Sequence, residues 1–424
     1  MIEVKCRRRG GDETAVTVAH AVGDNLETVA AAQRRLLESL TPLGPESVGL
    51  DDALGRVLAE TVHSSQDLPR FDNSAMDGYA VRAVDILGAG VATPVSLAVV
   101  GESRAGGAAP ELTPGCAIRI MTGAPLPAGA DTVVRQEDTQ RRDGEVLVAV
   151  AVPSGTSVRR RGEDLIAGQA VLEGGHTLTS IEIGVAAALG RDHVLVGRRP
   201  RVGVLATGDE LVAAGASLSA SHVVDSNSPM LIAAVREAGG DPTFLGIAAD
   251  TPEAVRRLLN VDSYDVIVSS AGVSVGEHDH VRDIVAELGE VNTWRIAMRP
   301  GKPMLIGTVG HALFLGLPGN PVSASVTFEL FVRPAIGRLQ GATEPMRRRI
   351  SVRLGETMQK PMGMETYARA VLRRVDGALP VATSSGPQGS HMLRSLAAAN
   401  CLLVLPAGAA EVPEGAVVEA IPLR

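Results

Sequence analysis

The chain has 424 residues, of which 45% are hydrophobic and 2% aromatic, and its formal net charge is −8. This length predicts three or four domains, since domains commonly hold about 100 to 150 residues. Nucleic acid is not expected as a partner, because nucleic-acid-binding surfaces are basic and stack bases on aromatic side chains.

The three cysteines, Cys6, Cys116 and Cys401, are widely spaced and form no Cys-x-x-Cys pair. We therefore expect neither disulfides nor structural zinc. No run of about 18 apolar residues is present, which argues against a membrane partner. Polar residues follow Arg7–Arg9 where a signal peptide would have an apolar core, so we expect a cytoplasmic protein. Residues 1–23 lack a clear period and are interpreted as a disordered extension or a start-site artefact.

The first predicted helix runs to about Leu40 and ends at Thr41-Pro42. Asp24–Glu27 has capping-box spacing. The apolar residues that follow share one helix face: Leu26, Val29, Leu36, Leu37 and Leu40.

Short β-like runs separated by Gly, Pro and Asp-Gly turns extend from Val91 to about Val152. This pattern predicts a small all-β insertion. A second helical stretch covers about Leu178 to Ala188, and Arg198 to Pro200 is interpreted as a linker.

From Arg201 onward, apolar runs alternate with segments of helical spacing. The predicted strands are Val202–Ala206, Phe244–Ile247, Val266–Ser269 and Phe314–Leu317. Helices are expected to begin at Ser228-Pro229, Thr251-Pro252 and Asn320-Pro321, where a capping residue type precedes proline. The alternation predicts a parallel, doubly wound sheet covered on both faces. Residues Ile350–Arg424 are again β-rich, with turns at Asp376-Gly377 and Pro406–Gly408, and predict a separate C-terminal β domain.

Four loops follow strands of the predicted sheet: Thr207–Glu210, the loop carrying Asp250, Ser269–Asp279 and Leu317–Ser323. Ligands of such folds bind beyond the carboxyl ends of the strands. The small and hydroxyl residues suit phosphate, whereas Glu210, Asp250 and Asp279 suit a hard cation such as Mg²⁺. A purely structural role stays open for each loop, and Asp250 is also placed to cap the next helix. Together the loops favour a phosphate ester bound with a metal.

Three upstream segments are rich in short polar or charged residues. Pro69–Ala80 and Ile120–Pro125 have the composition of structured loops, or of turns held by Asx hydrogen bonds. Arg159–Asp164 places three cations beside two carboxylates. Such a charged run is either a solvated face or a site for an anionic substrate and a metal.

Taken in order, several of these segments resemble the MoeA and gephyrin E-domain family. The matching segments are Phe71–Ala80, Met121–Pro125, Arg160–Asp164, Thr207–Leu211, Ser269–Gly276, Pro300–Pro303 and Gly316–Ser323. The resemblance extends from about residue 26 to the end of the chain. Long segments in one order are far more specific than a lone Gly-rich loop.

The resemblance implies a multidomain α/β plus β fold. After the extension at 1–23, it implies an elongated first domain (24–66 and 163–199) and a β-rich second domain inserted into it (67–162). The third domain (200–338) is then a molybdopterin-binding, doubly wound α/β domain like that of MoaB and Mog, and the fourth (339–424) is a C-terminal β-barrel-like domain. It also implies a homodimer.

As activity, the resemblance implies a molybdopterin molybdenumtransferase that inserts molybdate into adenylylated molybdopterin, with Mg²⁺-dependent release of AMP, in the final step of molybdenum cofactor synthesis. The pterin would supply the sulfur ligands, so no protein cysteine is required. Two alternatives stay open: a non-catalytic molybdopterin-binding scaffold, and the molybdopterin adenylyltransferase of the preceding step. That adenylyltransferase is also a candidate partner.

Carried over position by position, the resemblance implies the following functional residues. The catalytic set is Asp77, Asp164, Glu210, Asp250, Asp279, Lys302 and Arg369, of which Glu210, Asp250 and Asp279 hold the metal. The binding set is Thr122, Thr207, Gly208, Ser269, Gly272, Ser274, Gly276, Arg299, Pro318, Gly319, Asn320, Ser323 and Ser390. The sequence departs from the family in having Arg295 and Arg299 where Lys is usual, and Ala271 where Gly is usual. An Arg fork differs in geometry from an ammonium, and an alanine matters where φ is positive.

Overall fold

The computed structural model describes residues 26–259, 263–272 and 280–423. The chain divides into two compact units. The first unit holds the described residues up to Leu43 together with Arg198–Gln340 and Glu344–Arg424, and the second holds Gly44–Gly197 and Gly341–Thr343. The predicted extension 1–23 and the predicted site residues Ser274, Gly276 and Asp279 lie outside the described residues.

Helix α1 (Val29–Glu38) confirms the first predicted helix but begins later than its predicted capping box. Thr28 is the N-cap and accepts the N–H of Ala31 at 3.3 Å. The amide of Gln33 is buried and donates to the carbonyl of Leu330 at 2.7 Å. Because this face packs on helical residues 328–339, α1 belongs to the first unit. The assignment of this segment to the elongated domain (24–66 and 163–199) stays a prediction.

The second unit is made mainly of strands. Its elements are β1 Pro45–Gly49, β2 Val62–His63, β3 Asn73–Ser74, β4 Gly78–Val81, β5 Val95–Ser103, β6 Cys116–Ile120, β7 Thr132–Arg135, β8 Thr139–Arg142, β9 Glu145–Val148, β10 Val158–Arg159, β11 Ala170–Leu172, helix α2 Ser180–Ala188 and β12 His193–Gly197. A six-stranded sheet has the order β7-β4-β6-β5-β9-β8, and β1-β12, β2-β11 and β3-β10 form short pairs. The predicted β-rich segment and second helix are both confirmed.

The α/β part of the first unit follows. Its elements are β13 Arg201–Thr207, β14 Leu211–Val212, β15 Val223–Val224, α3 Asn227–Glu237, β16 Asp241–Ala248, α4 Pro252–Leu259, β17 Val266–Ser270, α5 His280–Leu288, β18 Val291–Arg295, β19 Met298–Arg299, β20 Pro303–Val309, β21 Ala312–Leu317, α6 Pro321–Thr327, a π-helical segment Phe328–Val332 and α7 Arg333–Leu339. Its sheet has the order β16-β13-β17-β21-β20-β18. The first four strands are parallel as predicted, whereas β20 is antiparallel to both of its neighbours, β21 and β18. A tight turn at Gly310 joins β20 to β21, and such turns connect antiparallel strands only.

Helices cover both faces of this sheet. Val202 and Val204 of β13 are buried against α3 and the later helices, whereas Leu205 is buried against α4 and α5. This alternation confirms the doubly wound arrangement. Parallel pairing sets Thr207 opposite Ala248 and Ser270 opposite Leu317, so four strands end at the same edge.

The C-terminal part of the first unit is a β domain, as predicted. Its elements are β22 Ile350–Leu354, β23 Met358–Gln359, β24 Glu365–Arg373, β25 Val381–Ser384, α8 Leu393–Ala398, β26 Cys401–Leu405, β27 Glu411–Val412 and β28 Val417–Pro422. The strands β24-β25-β22-β28-β26 close into a five-stranded barrel, because β26 pairs with β24. Strand β19 adds to β24 from outside the barrel. Among the described residues, no helix has the length and apolar character needed to cross a membrane.

Candidate functional site

In the loop after β13, the carboxylate of Glu210 lies close to the backbone of Gly208. Gly208 has a φ of +144°, and its N–H donates to the carbonyl of Ala248 at 3.2 Å. A Cβ at Gly208 would lie 2.6 Å from Oε2 of Glu210, so the Glu210 carboxylate occupies that space. Glu210 is exposed, whereas Thr207 is buried at the strand end. Only glycine permits this approach of carboxylate to backbone.

Two further carboxylates connect this loop to the loop after β16 through hydrogen bonds. The N–H of Asp250 donates to Oδ1 of Asp209 at 3.1 Å, and the N–H of Asp209 donates to Oδ2 of Asp250 at 3.4 Å. The cap of α4 comes from Thr251, which accepts the N–H of Ala254 at 3.3 Å. Asp250 therefore faces the site loop and does not cap the helix. Asp209 was missed by the sequence reasoning, although it stands beside Glu210.

These carboxylates do not by themselves form a metal cage. Within 26–259, 263–272 and 280–423, no group of three or more His, Cys, Asp or Glu side chains is arranged to hold a metal ion. Mg²⁺ is usually bound by one or two protein carboxylates together with substrate phosphates and water. The chemistry of Glu210 and Asp250 fits such a partial set.

The loop after β17 has a left-handed backbone. Ala271 has a φ of +72° and Gly272 a φ of +79°. The family's glycine position is thus occupied by an alanine in a conformation that costs L-residues about 1 to 2 kcal/mol. Gly272 tolerates no side chain, because a Cβ there would lie 2.2 Å from Cγ2 of Val281.

The loop after β21 touches the same place. The N–H of Ala271 donates to the carbonyl of Leu317 at 3.0 Å, and a Cβ at Gly319 would lie 3.1 Å from that of Ala271. Asn320 is exposed and its side chain makes no capping hydrogen bond to α6. Pro318 and Ser323 are buried. The loops after β17 and β21 are therefore in direct contact, as the predicted sheet required.

Two cationic side chains lie on the segment between β18 and β20. Arg299 is exposed on β19, and Lys302 is half-buried just before β20. Ser390 lies in the barrel domain, where its carbonyl accepts the N–H of Val322 in α6 at 3.1 Å. The loop of Ser390 therefore contacts the first turn of α6.

Arg369 was predicted among the catalytic side chains, but its guanidinium is fully buried. It donates from Nε to Oγ of Ser395 at 2.9 Å, and from Nη2 to the carbonyls of Pro387 at 2.8 Å and Gly389 at 3.2 Å. Burial lowers the pKa of this guanidinium from its usual value. These acceptors lie on α8 and on the loop before Ser390, and a single sequence does not show which acceptors an Arg side chain reaches. Arg369 holds that loop in place and is not exposed to a substrate.

In the second unit, the two predicted polar loops meet at Asp77. The backbone N–H and the Oγ1 hydroxyl of Thr122 each donate to Oδ1 of Asp77 at 2.7 Å. These bonds, the backbone one first, lower the pKa of the Asp77 carboxyl below its ordinary value. Asp77 and Thr122 are both exposed. The fold thus presents an ionised carboxylate to solvent.

In the charged run Arg159–Asp164 of the second unit, two arginines form ion pairs with aspartates. Arg160 Nη1 lies 2.7 Å from Oδ2 of Asp72, and Arg161 Nε lies 2.5 Å from Oδ2 of Asp67. Both guanidinium groups thus pair with carboxylates more than 80 residues earlier in the chain. Asp164 is exposed. The structural alternative for Arg160 and Arg161 is therefore favoured over an anion site.

The described cysteines offer no ready metal ligand. Burial raises the pKa of the Cys401 thiol to about 11, so it stays protonated at neutral pH. Cys116 is half-buried and is not part of any disulfide.

Three family models match successive parts of the chain. The MoeA N-terminal region (domain I and II) matches residues 27–190, a probable molybdopterin binding domain matches 203–338, and the MoeA C-terminal region (domain IV) matches 351–423. The chain is 40% identical over 381 residues to a molybdopterin molybdenumtransferase of Nostoc sp., covering 87% of each chain. It is also 40% identical over 400 residues to molybdopterin molybdenumtransferase 2 of Mycobacterium tuberculosis, covering 92% of this chain and 98% of the relative. A solved molybdopterin biosynthesis MoeA protein from Pyrococcus horikoshii OT3 superposes with a TM-score of 0.81 at 28% identity, covering 94% of this chain and all 100% of that one.

Replacing Gly272 by alanine should disturb the site, because the new Cβ would clash with Val281 on α5. Gly215 is the matched control, since it has a φ of +87° and open space around it. We expect Gly215→Ala to lower the free energy of unfolding by about 1 kcal/mol through backbone strain alone. Gly272→Ala should add a further loss of about 1 to 3 kcal/mol from overpacking. Denaturant unfolding measures both, and equal losses would contradict the predicted clash.

Proposed function

This chain belongs to the MoeA family, and we propose that it is a molybdopterin molybdenumtransferase, which inserts molybdate into adenylylated molybdopterin with Mg²⁺-dependent release of AMP. The main structural support is the convergence of four strand ends and their Gly-rich or acidic loops at one sheet edge. Folds of this type bind ligands at that edge. A homodimer, a cytoplasmic location and docking of the adenylyltransferase belong to the same proposal and rest on the family resemblance.

The loops after β13, β17 and β21 are proposed to bind the phosphates of the pterin substrate. Their glycines let the loops pack closely at the sheet edge, and Thr207, Ser269 and Ser323 place hydroxyl groups, all buried, at the bases of these loops. Exposed Asn320 has an amide that α6 does not use. Backbone N–H groups and small hydroxyls are common partners of phosphate oxygens.

Glu210 and Asp250 are proposed to hold Mg²⁺ against these phosphates. A bound Mg²⁺ would offset the negative charge of the pyrophosphate link. Asp209 keeps Asp250 facing the loop through their paired backbone contacts. Asp279, the third proposed ligand, lies outside the described residues.

Lys302 and Arg299 are proposed to bind molybdate. Both are cationic, and Arg and Lys donors suit a tetrahedral dianion. Arg369 contributes indirectly by fixing the loop of Ser390. Asp77 and Asp164 belong to the second unit, and we propose that their carboxylates orient water or the substrate bound by the partner chain. Hydrogen bonds from Thr122 hold the pKa of Asp77 below its ordinary value, which extends its ionised range to lower pH.

The direct test is single-turnover release of AMP from adenylylated molybdopterin, with and without molybdate and Mg²⁺, while molybdenum bound to the pterin is followed. Coupled AMP release and insertion are expected. Tight binding of the pterin without either reaction would instead indicate a scaffold. Consumption of ATP with unadenylylated molybdopterin would indicate the adenylyltransferase.

Glu210→Gln and Asp250→Asn should each lower the rate of AMP release by about 100-fold or more, because an amide is a poor Mg²⁺ ligand. Asp241→Asn is the matched control, since Asp241 is exposed at the opposite end of the same strand as Asp250. Added Mg²⁺ should partly restore the two site variants. Wild-type rates in folded Glu210→Gln and Asp250→Asn proteins would remove these residues from the metal site.

Lys302→Ala should raise the KM for molybdate by about 10- to 100-fold, the range expected for one hydrogen bond to a charged group. Affinity for the pterin substrate should change much less. Arg257→Ala removes one exposed positive charge from α4 and serves as the control. Equal losses of molybdate and pterin affinity would place Lys302 on the pterin phosphate.

Thr122→Val should shift the acid limb of the pH–rate profile to higher pH. The Thr122 hydroxyl helps to lower the pKa of Asp77, so its loss raises that pKa and reduces the ionised fraction at acidic pH. Rates near pH 8 should change little, because the carboxyl is ionised there in both proteins. Thr156→Val is the control, since that hydroxyl donates to the carbonyl of Pro153 and to no carboxylate. An unshifted acid limb would separate Asp77 from the reaction.

A further inference from the structure

A buried amide joins two of the site loops. Asn227, the first residue of α3, is only 8% exposed. Its Nδ2 donates to Oγ of Ser270 at 2.8 Å and to the carbonyl of Gly319 at 2.7 Å. Ser270 ends β17, and Gly319 follows β21. One planar NH₂ group therefore sets the spacing between the loops that follow these strands.

Asn227 is itself held by Asp225. Oδ1 of Asp225 accepts the N–H of Asn227 at 3.1 Å and that of Ser228 at 3.0 Å. The N–H of Asp225 donates to the carbonyl of Val212 at 2.9 Å. Val212 belongs to β14, which begins directly after Glu210. The loop after β13 is thus connected to the other two through Asp225 and Asn227.

The hydrogen-bonded connection through Asp225 and Asn227 lowers the stability of the fold. Oδ1 of Asn227 and Oγ of Ser228 are both buried and have no hydrogen-bond partner among the described residues. A buried polar atom without a partner lowers stability by about 1 to 3 kcal/mol. An apolar residue would avoid that cost but would leave the two loops unlinked. Local choices that reduce stability are expected where geometry serves function.

We propose that Asn227 is a positioning residue, which holds the loops after β17 and β21 at the separation that substrate binding requires. Its NH₂ group is already donated to Ser270 and Gly319, so we assign it to the support of the loops and not to contact with the substrate. The inference rests on the proposed function of these loops. Sequence reasoning identified Ser228-Pro229 only as a helix start, because nothing in a single sequence shows where an Asn side chain points.

The chain offers a matched control at the other end of α3. Gln340 is 3% exposed, and its Nε2 donates to the carbonyls of Ala238 at 3.2 Å and Ile336 at 3.3 Å. Its Oε1 is also buried without a partner in the described chain. Ala238 follows α3 directly, about 16 Å from Asn227 along the helix. Both residues are therefore buried amides with two donated bonds, but only Asn227 touches site loops.

The experiment compares Asn227→Ala with Gln340→Ala in the full chain. Melting temperature, affinity for adenylylated molybdopterin and the single-turnover rate of AMP release are measured for each. Both variants should lose similar stability. Only Asn227→Ala should weaken substrate binding and slow AMP release, by about tenfold or more, as expected for displaced binding groups.

Equal effects of the two variants on binding and rate, at matched stability, would overturn the proposal. If Asn227→Ala fails to fold, Ser270→Ala removes one acceptor of the same amide with little change in volume. Weaker substrate binding in Ser270→Ala would support the proposal, and wild-type binding would overturn it. Failure of the proposed function is distinguishable, because the unmodified protein would then release no AMP, whether or not it binds the pterin.

Discussion

The candidate site depends above all on the parallel register of β16, β13, β17 and β21. Because Thr207 lies opposite Ala248 and Ser270 lies opposite Leu317, four chain segments leave the sheet at one edge. The rest of the site follows from that crowding. Glycines are needed where the segments approach one another, and the Asp209–Asp250 contact becomes possible only because two of these strands are neighbours.

Much of this arrangement was predictable, because parallel strands that are buried on both faces have uninterrupted apolar sequences. The prolines at 252 and 321 marked helix starts correctly, since proline is favoured in a first turn. Strands β18 and β20 were missed. Strand β18 is at the edge of the sheet, whereas β20 lies inside it, and its buried apolar run Met304–Ile306 was overlooked. Such patterns report burial, and they do not report strand direction.

The residues whose contacts sequence reasoning did not foresee share one property. Their roles depend on partners far away in the chain, such as Asp72 for Arg160, the loop 387–389 for Arg369, and Gly319 for Asn227. A carboxylate or guanidinium looks the same in a sequence whether its partner is a substrate or a buried carbonyl. By contrast, Asp77 and Thr122 lie in two short loops that were both predicted, and the fold simply brings them together.

The C-terminal barrel leaves no room for a ligand inside it. Its interior is lined by small or compact side chains, among them Ala368, Ala370, Ala382 and Ala420, and they are all buried against one another. Because side chains already fill the interior of an eight-stranded barrel, the narrower five-stranded barrel is packed through its centre and does not enclose a ligand. Whatever this region contributes must come from its outer wall, where β19 is attached and the loop of Ser390 meets α6. We therefore regard the barrel as a structural support that packs against the α/β part of the unit.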